Sequence, residues 1–175
     1  MNTRIRAVWL AGLLYAAAPV IAEEAAARPV EWAQPVKESS NLFKVADRLY
    51  RSAQPLRGDV SELQSLGVTT VISFRAFHDD SKLLQQSGIK MIRVPMNTWD
   101  IHDRHIVAAL QAIRQGLREG PVLIHCQHGA DRTGLVSAMY RIVEQGWSKE
   151  AALKELKEGG YGYHAMWQNI PKFIE

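Results

Sequence analysis

The stretch from Val122 to Gly134, VLIHCQHGADRTG, constrains this chain more than any other. Val122 to His125 reads as a short buried strand, a tight loop opens at Cys126, and a helix begins near Arg132. Five residues separate the cysteine from the arginine, and two of them, Gly129 and Ala130, are small. That spacing lets the loop curl until its backbone N–H groups converge on one anion, to which the following helix adds the positive end of its dipole. A nest of this kind suits a phosphate, and the planar fork of Arg132 can grip two of its oxygens. The same field favours the thiolate of Cys126. A sulfur nucleophile beneath a bound phosphate implies phosphoryl transfer to cysteine followed by hydrolysis.

HCQHGADRTG resembles the signature of the cysteine-based protein tyrosine and dual-specificity phosphatases: His-Cys, five residues, Arg, Ser/Thr, Gly. The resemblance runs from about Asn41 to Trp167 and is closest to the secreted bacterial dual-specificity tyrosine phosphatases. It implies an α/β domain with a central, mainly parallel sheet of about four to five strands flanked by helices. It also implies a phosphomonoesterase acting on phosphotyrosine, with phosphoserine and phosphothreonine in reach. Cys126 and Arg132 are its catalytic residues, and Gln127, His128, Gly129, Ala130, Asp131 and Thr133 surround the substrate. Thr133 can donate to the sulfur, and Gly134 can allow close helix–strand contact. His125 orients the loop by hydrogen bonding. Gln127, His128, Arg75 and His78 are placed to bias substrate choice. LYRSAQP, from Leu49, resembles the opening of a subgroup of bacterial and fungal tyrosine phosphatases, which implies that Arg51 lies near the catalytic end of the sheet.

The leaving oxygen needs a proton, and the donor must later act as base toward water. In the family an aspartate on a loop after a strand does this, and VPMNTWDIHDRHI offers Asp100 and Asp103. Asp103 is better explained as a cap or first-turn residue of the next helix. Asp100, beside Trp99, is favoured, with burial expected to tune it. Asp131, directly before Arg132, is a further candidate; some lipid and inositol phosphatases of the superfamily carry aspartate there. It can equally orient Arg132 or a neighbouring loop. An inositol phosphate or phosphoinositide substrate is therefore the main alternative. A catalytically weak phospho-binding module and a rhodanese-type sulfurtransferase fit the intact Cys-to-Arg loop less well.

No cofactor or metal is expected, since the histidines are scattered, there is no cysteine pair, and arginine with the amide nest takes a cation's place. Removing Arg4 and Arg6 from the 21 basic residues leaves 19 against 18 acidic, with no basic block, so no nucleic-acid partner is expected. Those two arginines precede an apolar run from Ala7 to Ala18, and Val20-Ile21-Ala22 suits a cleavage site. Residues 1–22 therefore read as a signal peptide, leaving a secreted protein, periplasmic in a Gram-negative organism, with no stable membrane insertion. Residues 23–40, rich in Ala, Pro and charge, read as a flexible arm that Trp32 can anchor, and residues 41–175 as one phosphatase domain, expected to be a monomer. Cys126 is the only cysteine, so no internal disulfide can form. With no resolving partner, thiols should reverse its oxidation only early in peroxide exposure.

Along the domain, Phe43 to Tyr50 spans two short strands around an Ala46-Asp47 turn. Gly58 to Leu66 and Asp79 to Gln86 have helical character, and Val68 to Phe74 and Ile89 to Met96 are apolar strands. Asp103 to Leu117 is predicted as a helix with Ile106, Val107, Leu110 and Ile113 inward. Arg132 to Glu144 is predicted as another, burying Leu135, Val136, Met139, Ile142 and Val143. Ser148 caps the next helix, in which Glu150 and Lys154 are spaced to pair. Helices alternating with strands in this way give a largely parallel sheet.

Overall fold

The computed structural model describes residues 27–175. The signal-peptide reading and the start of the arm lie outside the described residues. Six strands form one sheet in the order β1 (Gln34–Lys37), β2 (Leu42–Ala46), β3 (Leu49–Ser52), β6 (Val122–His125), β4 (Thr70–Arg75), β5 (Lys90–Met96). The first three form an antiparallel meander, while β3, β6, β4 and β5 run parallel. The sheet is thus wider than the four to five strands expected. The extra strand is β1, in a stretch read from the sequence as arm. Its residues are largely exposed, as an edge strand with Pro35 allows, so it carries no apolar alternation to betray it. Ala33, just before it, is fully buried, whereas Trp32 is only partly so.

The central strands are apolar on both faces because helices cover both. On β6, Val122 and Ile124 join one buried cluster and Leu123 the other. The larger cluster lies beneath α3 (Asp103–Glu119), α4 (Asp131–Gln145), α5 (Lys149–Glu158) and α6 (Asn169–Ile174). The smaller one lies beneath α1 (Val60–Ser65) and α2 (Ser81–Leu84). Ile106, Leu110 and Ile113 of α3 are buried as expected, but Val107 is exposed, as is Val143 of α4. Both border an open groove between these helices, so the apolar stripe is wider than the core it serves. Ser148 accepts from Ala151 N at 3.1 Å and starts α5, while Gly146, at φ 70°, ends α4. Glu150 lies near Ser148 rather than pairing with Lys154. Among the described residues no helix is long and apolar enough to cross a membrane.

Register places the site. Ser52, His125 and Ser73 stand level at the carboxyl ends of β3, β6 and β4, so the chain leaves the centre of the sheet at Cys126. Parallel α/β sheets gather ligands at this edge.

Candidate active site

Cys126 is 2% exposed and follows β6 directly; α4 begins at Asp131. Between them, three consecutive carbonyls are held away from the sulfur by donors on neighbouring segments. Gln54 N donates to Gln127 O at 3.1 Å, Asn41 Nδ2 to His128 O at 2.8 Å, and Arg51 Nη2 to Gly129 O at 2.6 Å. A peptide whose carbonyl is tied outward turns its N–H the other way. The N–H groups of Gln127 to Arg132 accordingly make no hydrogen bond to protein among the described residues. This is the inward-facing nest that the loop's length and small residues predict. Gly129 has φ 71°, and a Cβ there would lie 2.5 Å from the carbonyl carbon and oxygen of Ser52. Only glycine fits. Gly134 serves a different contact from the one expected, since a Cβ there would meet Leu156 Cδ1 of α5 at 2.5 Å rather than a strand.

Arg51 is 1% exposed and its guanidinium lies 3.7 Å from the centre of the Tyr161 ring. Burial pushes it down to about 10, still charged near neutrality. Arg132 donates Nη1 to Phe74 O and Met96 O, both at 3.3 Å, which aims it across the ends of β4 and β5. There it borders a cleft of about 190 Å³ with Arg75, Phe77, Trp99 and Gln127. Phe77 and Trp99 are strongly exposed aromatics flanking two arginines. Thr133 Oγ1 is fully buried with no hydrogen-bond partner, on the first turn of α4. Gln127 borders the cleft, whereas His128 lines a separate opening with His164. It faces the other side of the loop, its ring 5.7 Å from that of His164.

The three aspartates separate clearly. Asp103 is on the first turn of α3 and borders the open groove between helices, away from Cys126. Asp131 is buried and accepts from His164 N at 2.9 Å and faces His164 Nδ1 at 2.9 Å, so it docks the loop after α5. Asp100 belongs to the loop next to Trp99, but the burial expected of it is absent. Its side chain is 52% exposed and its Oδ1 lies 2.8 Å from His102 Nε2. Trp99 turns outward to pair with Trp167 at 6.4 Å and leaves the carboxylate in water.

Sequence reasoning overlooked Asp80. It is 3% exposed, with Oδ1 accepting from Gln54 Nε2 at 2.8 Å and Oδ2 lying 3.2 Å from Nε2 of the fully buried His125. Asp80 falls at the start of the stretch read as a short helix, Asp79 to Gln86, and only the fold brings it beside His125. Among the described residues no group of three or more His, Cys, Asp or Glu side chains is placed to hold a metal ion.

Residues 49–162 match the family described as dual specificity phosphatase, catalytic domain. The chain belongs to that family. Within it, the chain is 46% identical over 141 residues to the dual specificity protein phosphatase TpbA of Pseudomonas aeruginosa PAO1, covering 81% of this chain and 64% of the relative. It thus spans less than two thirds of that curated relative's length. A crystal structure of a cysteine-to-serine variant of P. aeruginosa TpbA in complex with pTyr superposes with a TM-score of 0.80 at 40% identity, covering 85% of this chain and 91% of that one. An inositol diphosphatase of Oryza sativa is 28% identical over 113 residues, covering 60% of this chain and 55% of that protein. The nest around Cys126 lies within the matched residues 49–162.

Proposed function

We propose that this chain is a phosphomonoesterase that removes phosphate from phosphotyrosine in proteins through a cysteinyl-phosphate intermediate. The observation that carries the reading is the set of inward, protein-free N–H groups around Cys126, closed on one side by Arg132. Such donors act where charge develops on the phosphoryl oxygens. The sulfur of Cys126 attacks phosphorus, an S–P bond forms, and the P–O bond to the substrate breaks with its electron pair leaving on oxygen. Asp100 supplies the proton to that oxygen. In the second step Asp100 takes a proton from water, whose oxygen attacks phosphorus, and the S–P pair returns to Cys126. The exposure of Asp100 requires its loop to close over the substrate for either transfer.

Phe77 and Trp99 favour an aryl phosphate, since a phenol ring entering the cleft would lie between them while its phosphate reaches the loop. The TpbA complex with pTyr supports the same substrate class. Reach toward phosphoserine and phosphothreonine belongs to the proposal. A second reading, an inositol phosphate substrate, is favoured by Arg75, an additional cation bordering the cleft beside Arg132, and by the rice inositol diphosphatase likeness. We place the enzyme as an exported monomer; N-terminal sequencing of the secreted form and size-exclusion chromatography test those two points. The deciding experiment measures turnover of a phosphotyrosyl peptide and of an inositol polyphosphate by the wild type, Cys126→Ser and Arg132→Ala. Peptide hydrolysis by the wild type alone is the expected result. Substantial activity in either variant ends the proposal, and faster inositol turnover transfers it to the second substrate.

A further inference from the structure

Two arginines are buried among the described residues, and their charges are met very differently. Arg141 donates to both oxygens of Glu155. Arg51 forms no ion pair among the described residues. Its Nη2 donates to Gly129 O at 2.6 Å, the Tyr161 ring lies against its guanidinium at 3.7 Å, and its Nε is buried with no hydrogen-bond partner. The carboxylate reached through Tyr161 is Glu155, whose oxygens already accept from Arg141 and Ala33 N. A guanidinium buried without a counter-charge is costly, so its place in the fold calls for an anion.

The surroundings add positive potential rather than relieve it. Arg51 stands level with Ile124 of β6, on the face of the sheet that α4 covers. A Cβ on Gly134, in the first turn of α4, would lie 3.8 Å from Arg51 Nη2, so the guanidinium sits close to the positive end of that helix. The acid of that turn, Asp131, is engaged with His164. The link from these positive poles to the nest is the Gly129 carbonyl. It shares a peptide with the N–H of Ala130, one of the donors that make no hydrogen bond to protein. A guanidinium on the oxygen fixes that peptide plane and polarises it, which makes the N–H a stronger donor to an anion.

We propose that Arg51 is a buried second cation of the phosphate site, a positioning residue whose counter-charge is the substrate's phosphate dianion rather than a carboxylate of the protein. It does not touch the substrate. It acts through the Gly129–Ala130 peptide and through the field it adds beneath the loop. Arg132 closes the nest from the ends of β4 and β5, and Arg51 supports it from β3.

The inference rests on the phosphatase reading, but its test needs no turnover. Tungstate, a tetrahedral dianion that offers no ester to hydrolyse, is titrated calorimetrically into the wild type, Arg51→Met and Arg51→Lys. Urea unfolding of each is followed without the anion. Loss of one charge-assisted contact should weaken tungstate binding about tenfold in Arg51→Met. Its anion-free stability should match that of the wild type, because relief of an unpaired buried charge offsets the bond lost at Gly129 O. Arg51→Lys keeps the charge but not the planar fork and should bind within about threefold of the wild type. Unchanged affinity in Arg51→Met overturns the proposal. A large loss of anion-free stability in that variant, or its failure to fold, also overturns it, since Arg51 would then be a structural tie between β3 and the loop. So does a tenfold loss of affinity in folded Arg51→Lys. Failure of the phosphatase reading looks different, because the wild type itself then binds no tungstate.

Discussion

At Gly129 three demands meet in one residue: positive φ, van der Waals contact with the Ser52 carbonyl, and a carbonyl turned to Arg51. Alanine there meets backbone strain of about 1 kcal/mol and pushes the loop from β3. Misplacing a reacting group by about 1 Å costs on the order of 100-fold in rate, so Gly129→Ala should lower kcat by about that factor in an aryl phosphate assay. Calorimetry alongside should show a folded protein. Asp100→Asn should lower kcat for alkyl phosphates more than for nitrophenyl phosphate, whose leaving group needs no proton. Equal sensitivity would move the proton donor to Asp131, which His164 would then have to release. The Cys-to-Arg loop was legible in the sequence because its cysteine, glycine and arginine sit at fixed offsets in one contiguous run. Asp80 was not, because its neighbour His125 lies on β6, far along the chain, and nothing at the start of a short polar helix marks it. The exposure of Asp100 was equally hidden, since it depends on Trp99 turning to Trp167 from the far end of the chain.

Among the elements, α4 carries the most, with the phosphate loop at its start and a buried ion pair near its end. Arg141 Nε and Nη2 donate to the two oxygens of Glu155 on α5 at 2.8 and 3.0 Å, and Glu155 also accepts from Ala33 N at 2.6 Å and Tyr161 Oη at 2.9 Å. Glu155→Gln leaves a buried guanidinium without its counter-charge, so urea unfolding should show a loss of about 3–5 kcal/mol. The pH dependence has a definite sign. Burial alone would push Glu155 up, but Arg141, with Ala33 N and Tyr161, holds it below its ordinary 4.5. Its stabilisation is then present above about that pH and is lost as pH falls through the lower folded value. The wild-type melting temperature should drop across that acid window, and the drop should be smaller in Glu155→Gln. The helix periods of α3 and α4 were readable because apolar residues recur along them. The charged residues that join α4 to α5 were not, since Arg and Glu in helices are ordinarily solvated.

Across the whole molecule, the first described residues close a circuit that ends at the phosphate loop. Arg28 donates Nε to Ala33 O at 2.7 Å, Nη1 to Gly159 O at 2.9 Å and Nη2 to Tyr161 Oη at 2.6 Å. The other face of this contact is Arg51, stacked on the same Tyr161 ring and bonded to Gly129 O. Tyr161 is pushed up to about 12, first by burial and then by Glu155, so it remains a neutral donor between two guanidinium groups. A segment readable only as a loose arm is thus part of the frame that orients the loop's carbonyls. Cleavage after Ala22 would leave Arg28 in the mature chain. Arg28→Ala removes three charge-assisted bonds, each worth about 1.5–3 kcal/mol where fully formed, and partial solvation brings the expected loss to about 2–3 kcal/mol. If the circuit is continuous, the freed Tyr161 lets Arg51 shift and the Gly129 carbonyl relax. kcat should then fall about threefold, a change of under about 1 kcal/mol at the barrier, with KM for a phosphotyrosyl peptide little altered. A lowered melting temperature with kcat unchanged would mean that the strain stops at Tyr161 and that Arg51 holds the loop alone.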